Sequence, residues 1–343
     1  MSESDPIYQA IDNAHSVTTE RQEKRSISVD GLIGTAPRRV LTIGLMVALA
    51  YLVQFPFFSL PLELGSDWWW YRDGIDNLAA GGPLYDSNLL VGPYTFVDPA
   101  HVYSYNVAPW VVAIVAPFVA LGDFGREVWF VAMAVATGLA ILLCVPSRHR
   151  LVAAVILLLS PAVLMLLAWG NLGSLVVLGV AIWLVGWRRD SNKLMTVGLI
   201  LASVKILPAV PLAVVMLRER RFTSVAIAAV VTGGITVALS LATGRNVLAD
   251  NAVALTNIGQ LPMYNLAPSA FLGHPTEIRI GAVVALVALA VPRPTYWTIL
   301  AMELVVCAFV TNLYLDWAIA PVLIALAFVS DRLESRSSMA LPA

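Results

Sequence analysis

Long apolar runs separated by short charged clusters set the pattern of the chain. Residues 40–62 form a charge-free run of 23 residues directly after Arg38 and Arg39. As a helix it would measure about 35 Å, enough to cross a hydrocarbon core of about 30 Å. Further spans are predicted at 107–121, 128–145, 222–241, 280–291, 295–311 and 317–330. Residues 151–187 carry no charge over 37 positions, about 55 Å if helical throughout, so this stretch has to reverse. Gly170-Asn171 is the natural reversal point, with Ser160-Pro161 a kink or second break. Residues 194–217 are apolar apart from Lys205, with Pro208 and Pro211 just beyond it. That pattern fits either one kinked span or two half-helices. The predicted class is all-α, a polytopic transmembrane helical bundle of about nine to eleven membrane segments.

The polar intervals divide the chain. Residues 1–35 are too poor in large apolar side chains to offset ordering entropy and read as a disordered cytoplasmic tail ahead of a membrane domain at 36–330; 331–343 form a polar C-terminal tail. No cleavable leader is expected in 1–39. The first extracytoplasmic loop, 63–106, holds Glu63, Asp67, Asp73, Asp76, Asp86 and Asp98 against the single basic Arg72. Scarce Lys and Arg place it on the far side of the bilayer by the positive-inside rule. Within it, 67–80 is predicted to form an amphipathic helix with Trp68, Trp69, Trp70 and Tyr71 at headgroup depth. Basic clusters at Arg188, Arg189, Lys193 and at Arg218, Arg220, Arg221 bracket the Lys205 segment. If both face the cytoplasm, the segment is a hairpin with Lys205 at its far tip. Strict alternation of the spans then leaves Arg148-His149-Arg150 on the wrong side. A second polar loop, 242–279, carries Arg245, Asp250, Asn251, Asn257, Gln260, Tyr264, Asn265, His274 and Arg279.

Composition agrees with a membrane protein: of 343 residues, 59% are hydrophobic and 13% charged, where a soluble domain carries about 25% charged residues. The net charge of −1 provides no field to recruit nucleic acid. Cys144 and Cys307 lie in apolar runs and read as buried hydrophobes. There is no Walker motif, paired-cysteine spacing, His-Glu-x-x-His or Gly-x-Ser-x-Gly, which disfavours ATP-driven transport and zinc hydrolysis. No cofactor or metal is expected.

Asp67 is the first candidate for chemistry. A partly desolvated carboxylate beside four interfacial aromatics suits removal of a proton from a hydroxyl; the alternative is a cap on the helix it opens. Lys205 is the second. An intramembrane ammonium costs about 2.5–3.5 kcal/mol on insertion scales and is a functional candidate by default, here for a lipid phosphate; the alternative is a snorkelling side chain. His274, Arg279 and Arg245 can join it from the second loop or simply be solvated. Glu303 and Asp316 fit a transporter's proton site or interhelical hydrogen bonding, and Gly233-Gly234 a helix-packing surface.

Several motifs in order resemble a known family. Ser66-Asp67-Trp68-Trp69-Trp70-Tyr71 is followed by Gly81-Gly82-Pro83-Leu84-Tyr85, then Tyr105 to Pro109, Gly170-Asn171, Arg188-Arg189, a run from Gly198 to Lys205 and Pro208, and Arg218 to Arg221. The series, over about residues 40–222, is similar to glycosyltransferase family 87, integral-membrane C-type enzymes dependent on polyprenol-phosphate-mannose. The chain lacks the family's double proline and the glutamine of its glycine-glutamine-x-asparagine turn, and its C-terminal part is short.

The resemblance implies a hexosyltransferase taking a sugar, mannose first, from a polyprenyl-phosphate donor to a lipid or cell-envelope glycan. Transfer would occur with inversion at the extracytoplasmic face of the cell membrane. Asp67 would be the general base; Lys205, His274 and Arg279 would hold the donor phosphate; Tyr71, Arg72, Tyr105, Asn171 and Asn265 would contact substrate. A non-catalytic polyprenol-sugar carrier or flippase, and a proton-coupled transporter, are the alternatives.

Overall fold

The computed structural model describes residues 66–85, 90, 107–144, 163, 166, 169–258, 275–306 and 320–328. Among them every regular element is helical and there is no strand. The predicted tails, the first span at 40–62, Ser160-Pro161, Arg148-His149-Arg150, Tyr105, Asn265, His274, Cys307 and Asp316 lie outside the described residues.

The elements are α1 (Ser66–Ala79), a 3-10 turn (Pro109–Val111) running into α2 (Val112–Val119), α3 (Phe124–Cys144), α4 (Gly173–Arg188), α5 (Asn192–Ala202), α6 (Ile206–Arg218), α7 (Phe222–Thr243), α8 (Val247–Ile258), α9 (Pro275–Ala290) and α10 (Tyr296–Val306). Residues 320–328 are also helical. Two of these, α3 and α7, are long and apolar enough to cross a membrane.

The predicted helix at 67–80 is α1. The span expected at 107–121 is different: Pro109–Val119 amounts to about 16 Å of helix, half a hydrocarbon core. It starts at Pro109, whose missing amide hydrogen costs nothing in a first turn, and it ends at Gly122 in the left-handed region, φ 63°. Val107, Trp110 and Val115 are all buried in the apolar cluster that also holds Trp68. α3 carries the chain from the apolar cluster that holds Trp129 to the one that holds Cys144. The second polar loop is also more ordered than its composition implies. It contains α8, opened by Asn246 Oδ1 accepting from the Ala249 amide (3.1 Å) and docked through buried Val247 and Ala254.

The reversal at Gly170-Asn171 is present. Gly170 is left-handed, φ 66°, and a Cβ there would press on the Trp129 indole at 3.3 Å. The Lys205 segment resolves into two half-helices, α5 and α6, broken at 203–205. Ser203 Oγ donates to the Ile200 carbonyl (2.7 Å), and Pro208 falls in the first turn of α6, where it is tolerated.

Glycines set the closest packing. An added Cβ would lie 2.4 Å from Ala202 N at Gly179, 2.5 Å from Trp183 N at Gly198 and 2.7 Å from Met195 N at Gly186. Gly179 against Ala202, Trp183 against Gly198 and Gly186 against Met195 define an antiparallel α4–α5 pair whose backbones touch where side chains are absent.

The chain therefore has two ends. At one, Arg221 binds Asp190, Asn192 and Glu219, closing the α5–α6 hairpin at its base. Trp187 Nε1 donates to Glu219 (2.8 Å), Arg188 to the Tyr296 hydroxyl (2.8 Å) and Arg218 to the Val291 carbonyl (3.1 Å). Both basic clusters gather here. At the other end are α1, the Gly170 turn, the 203–205 break and the left-handed Gly244 that ends α7. Each end has its own apolar core. Trp183, Met195, Leu199, Leu212, Met216, Ile299 and Leu323 fill one. Trp68, Tyr71, Trp129, Leu172, Val176 and Val204 belong to the other.

Candidate functional site

Asp67 occupies the first turn of α1 and is only 4% exposed. Its carboxylate accepts a hydrogen bond from Asn171 Nδ2, 104 residues away in sequence. Asn171 Oδ1 accepts from the Gly173 amide (2.6 Å), and the Tyr71 hydroxyl accepts from the Leu172 amide (3.3 Å). Asp67 at the start of α1 thus meets, through Asn171, the start of α4. Asp67 is the second residue of the α1 helix and not the residue before it.

Trp129 holds this corner together. Its Nε1 donates to the Gly170 carbonyl (2.7 Å), and its ring meets Trp68, Tyr71 and Phe118 at centroid distances of 5.8, 5.7 and 5.1 Å. Nothing in the sequence marks it, because one tryptophan in a long apolar run reads as ordinary core or lipid contact. A second anchor is equally silent. The Tyr85 hydroxyl and Asn251 Nδ2 both donate to the Val107 carbonyl, at 2.9 and 3.3 Å. Burial pushes the Tyr85 hydroxyl far above the ordinary phenol range, so it stays a neutral donor.

Lys205 is the residue before α6, at the tip of the hairpin, and is partly buried. Val204 beside it is buried in the cluster that contains Trp68 and Tyr71. Lys205 therefore belongs to the same end as Asp67. Arg72 is engaged on the surface of α1, bonded to Asp76 (3.3 Å), within 3.8 Å of Asp123 and over the Trp69 ring. Arg279 is exposed on the second turn of α9, and no contact is seen between it and Asp67 or Asn171.

A groove of about 790 Å³ opens beside this corner. Trp110, Ser203, Ile206, Thr236, Ser240 and Arg245 are among its walls, so the break on either side of Lys205 forms one edge. Its hydroxyls are turned inward: Thr232, Thr236 and Ser240 donate to the carbonyls of Ala228, Thr232 and Thr236 at 3.0, 2.9 and 3.0 Å. With those protons committed to the helix, the wall presented by α7 is in effect apolar. Arg245 at its end is partly neutralised by Asp250 (3.3 Å). Asp67 and Lys205 were expected to open onto one cavity, and neither is among the residues that line this groove. No family model, curated protein or solved structure matches the chain.

Proposed function

We propose that the chain is a polytopic membrane glycosyltransferase that moves a sugar, mannose first, from a polyprenyl-phosphate donor to a lipid or cell-envelope glycan. The observation that carries this reading is a buried carboxylate, Asp67, gripped by Asn171 at the same end of the bundle as Lys205 and an apolar groove. The isoprenoid chain lies along α7, and the phosphate reaches the groove's edge near Lys205 and Arg245. Asp67 accepts the proton of the acceptor hydroxyl as its oxygen bonds to the anomeric carbon. The bond from that carbon to the phosphate oxygen breaks, its electron pair leaves with the phosphate, and the configuration inverts. Lys205 stabilises the charge left on the phosphate. The arginine-rich end faces the cytoplasm by the positive-inside rule, which sets the Asp67 end outside. The donor-phosphate and substrate roles expected of His274, Asn265 and Tyr105 fall on residues outside the described ones.

Vesicles carrying the protein and labelled polyprenyl-phosphate-mannose test this. Asp67→Asn should lower transfer by at least about 100-fold, the lower bound for a positioned base, while donor binding is retained. Lys205→Ala should weaken donor binding. Full transfer by Asp67→Asn would remove the base. Among the described residues the groove walls include no carboxylate, and a second reading is a carrier that holds the lipid-linked sugar without cleaving it. Such a carrier would tolerate Asp67→Asn.

A further inference from the structure

We propose that Asn171 is a positioning residue for Asp67 rather than a contact for the substrate; this rests on reading Asp67 as the base. Both ends of the Asn171 amide already hold protein partners, nitrogen to Asp67 and oxygen to the Gly173 amide. A sugar hydroxyl would find only the second N–H and the second lone pair of an amide whose orientation these partners already fix. The two bonds also reinforce each other: accepting from the first amide of α4 polarises the side chain and makes its NH2 the better donor.

The placement of Asn171 is fixed by backbone, not by side-chain freedom. Gly170 before it is left-handed and crowded by Trp129, whose indole N–H holds the Gly170 carbonyl at 2.7 Å. Leu172 after it donates its amide to the Tyr71 hydroxyl at 3.3 Å. Tyr71 lies one helical turn beyond Asp67 on α1, so the Gly170 turn meets α1 at two successive turns of the same face. The contact to Asp67 Oδ2 sets the rotation of the carboxyl group, and with it the direction from which the carboxylate accepts a proton. A base misplaced by about 1 Å loses rate without losing affinity.

The test splits kcat from KM in the vesicle assay with polyprenyl-phosphate-mannose as donor. Asn171→Ala should lower kcat by about 100-fold with the KM of donor and acceptor unchanged. Asn171→Ser, which keeps a short donor and a helix-start acceptor, should recover part of the rate. Asn171→Asp, which sets a second carboxylate against Asp67, should recover none. A rise in KM at unchanged kcat would make Asn171 a substrate contact and overturn the proposal. An activity-independent arm measures unfolding temperatures of Asp67→Ala, Asn171→Ala and the double variant. A double shift smaller than the sum of the single shifts supports the contact, and additive shifts overturn it. An inactive wild type would instead remove the base reading itself, and this proposal with it.

Discussion

Replacing Gly198 by alanine tests the antiparallel α4–α5 pair on which the placement of Lys205 depends. The new methyl would sit 2.5 Å from Trp183 N and 2.6 Å from Gly179 O, and both are backbone atoms that no rotamer change can move. Relief to ordinary contact requires the two helices to part by about 1 Å along their tightest stretch, against interior packing that has little free volume. Overpacking of this kind costs up to about 3 kcal/mol. At about 2–4 °C per kcal/mol, an overpacking cost of about 1–3 kcal/mol lowers the unfolding temperature by roughly 2–12 °C. Gly233→Ala is the control: an added Cβ there meets open space, and the helix gains about 0.5–1 kcal/mol of propensity. Cys144, 1% exposed, reports unfolding in detergent through a thiol-reactive fluorophore once Cys307 is replaced by serine. Equal unfolding temperatures for Gly198→Ala and Gly233→Ala would refute the register, and with it the position assigned to Lys205.

Arg221→Gln should open the hairpin base, because its side chain is 11% exposed and serves Asp190, Glu219 and Asn192 together. The expected loss is about 1–3 kcal/mol, discounted for the 66% exposure of Asp190, and denaturant or thermal titration reads it. Arg220 lies at φ 60° where the Arg221 amide closes back on the Met216 carbonyl (2.8 Å). Arg220→Gly should relieve that strain and raise stability by about 0.5–1 kcal/mol in the same titration. Asp73 has its carboxyl raised above 3.8 by burial and by repulsion from Asp76, with Arg72 opposing. A raised acid binds its proton more tightly in the folded state, so its contribution is greatest below pH 3.8 and is lost as pH rises through the folded value. Asp73→Asn should therefore stabilise the protein at neutral pH, with the advantage vanishing in acid.

Periodicity in the sequence carried the helical class, the reversal at Gly170-Asn171, the helix after Ser66 and the half-helices on either side of Lys205, while of the nine to eleven membrane segments expected only two helices among the described residues, α3 and α7, are long and apolar enough to cross. Each of the former rests on a local rule, a charge-free length or a glycine or proline at a break. Helix length at 107–121 was less legible, because Pro109 and Gly122 cut short a run whose hydropathy alone looks like a full span. Asp67 and Asn171 were each visible as candidates, but their contact was not, since it depends on how α1 lands on the Gly170 turn. Trp129 and the Tyr85–Asn251 anchor left no trace, because they act through backbone carbonyls, whose positions no side-chain pattern records.

Under the proposed function, the end that holds Asp67 and Lys205 lies at one face of the membrane and the arginine clasp at the other. Sidedness of single cysteines in sealed, uniformly oriented vesicles measures this directly, with Asp76→Cys, Ile206→Cys and Arg220→Cys chosen because all three native side chains are exposed. With an impermeant maleimide, the cysteines at 76 and 206 should label from the extracytoplasmic side and the one at 220 only after the vesicles are opened or inverted. Labelling of 206 and 220 from the same side, or of 76 and 206 from opposite sides, would contradict the account.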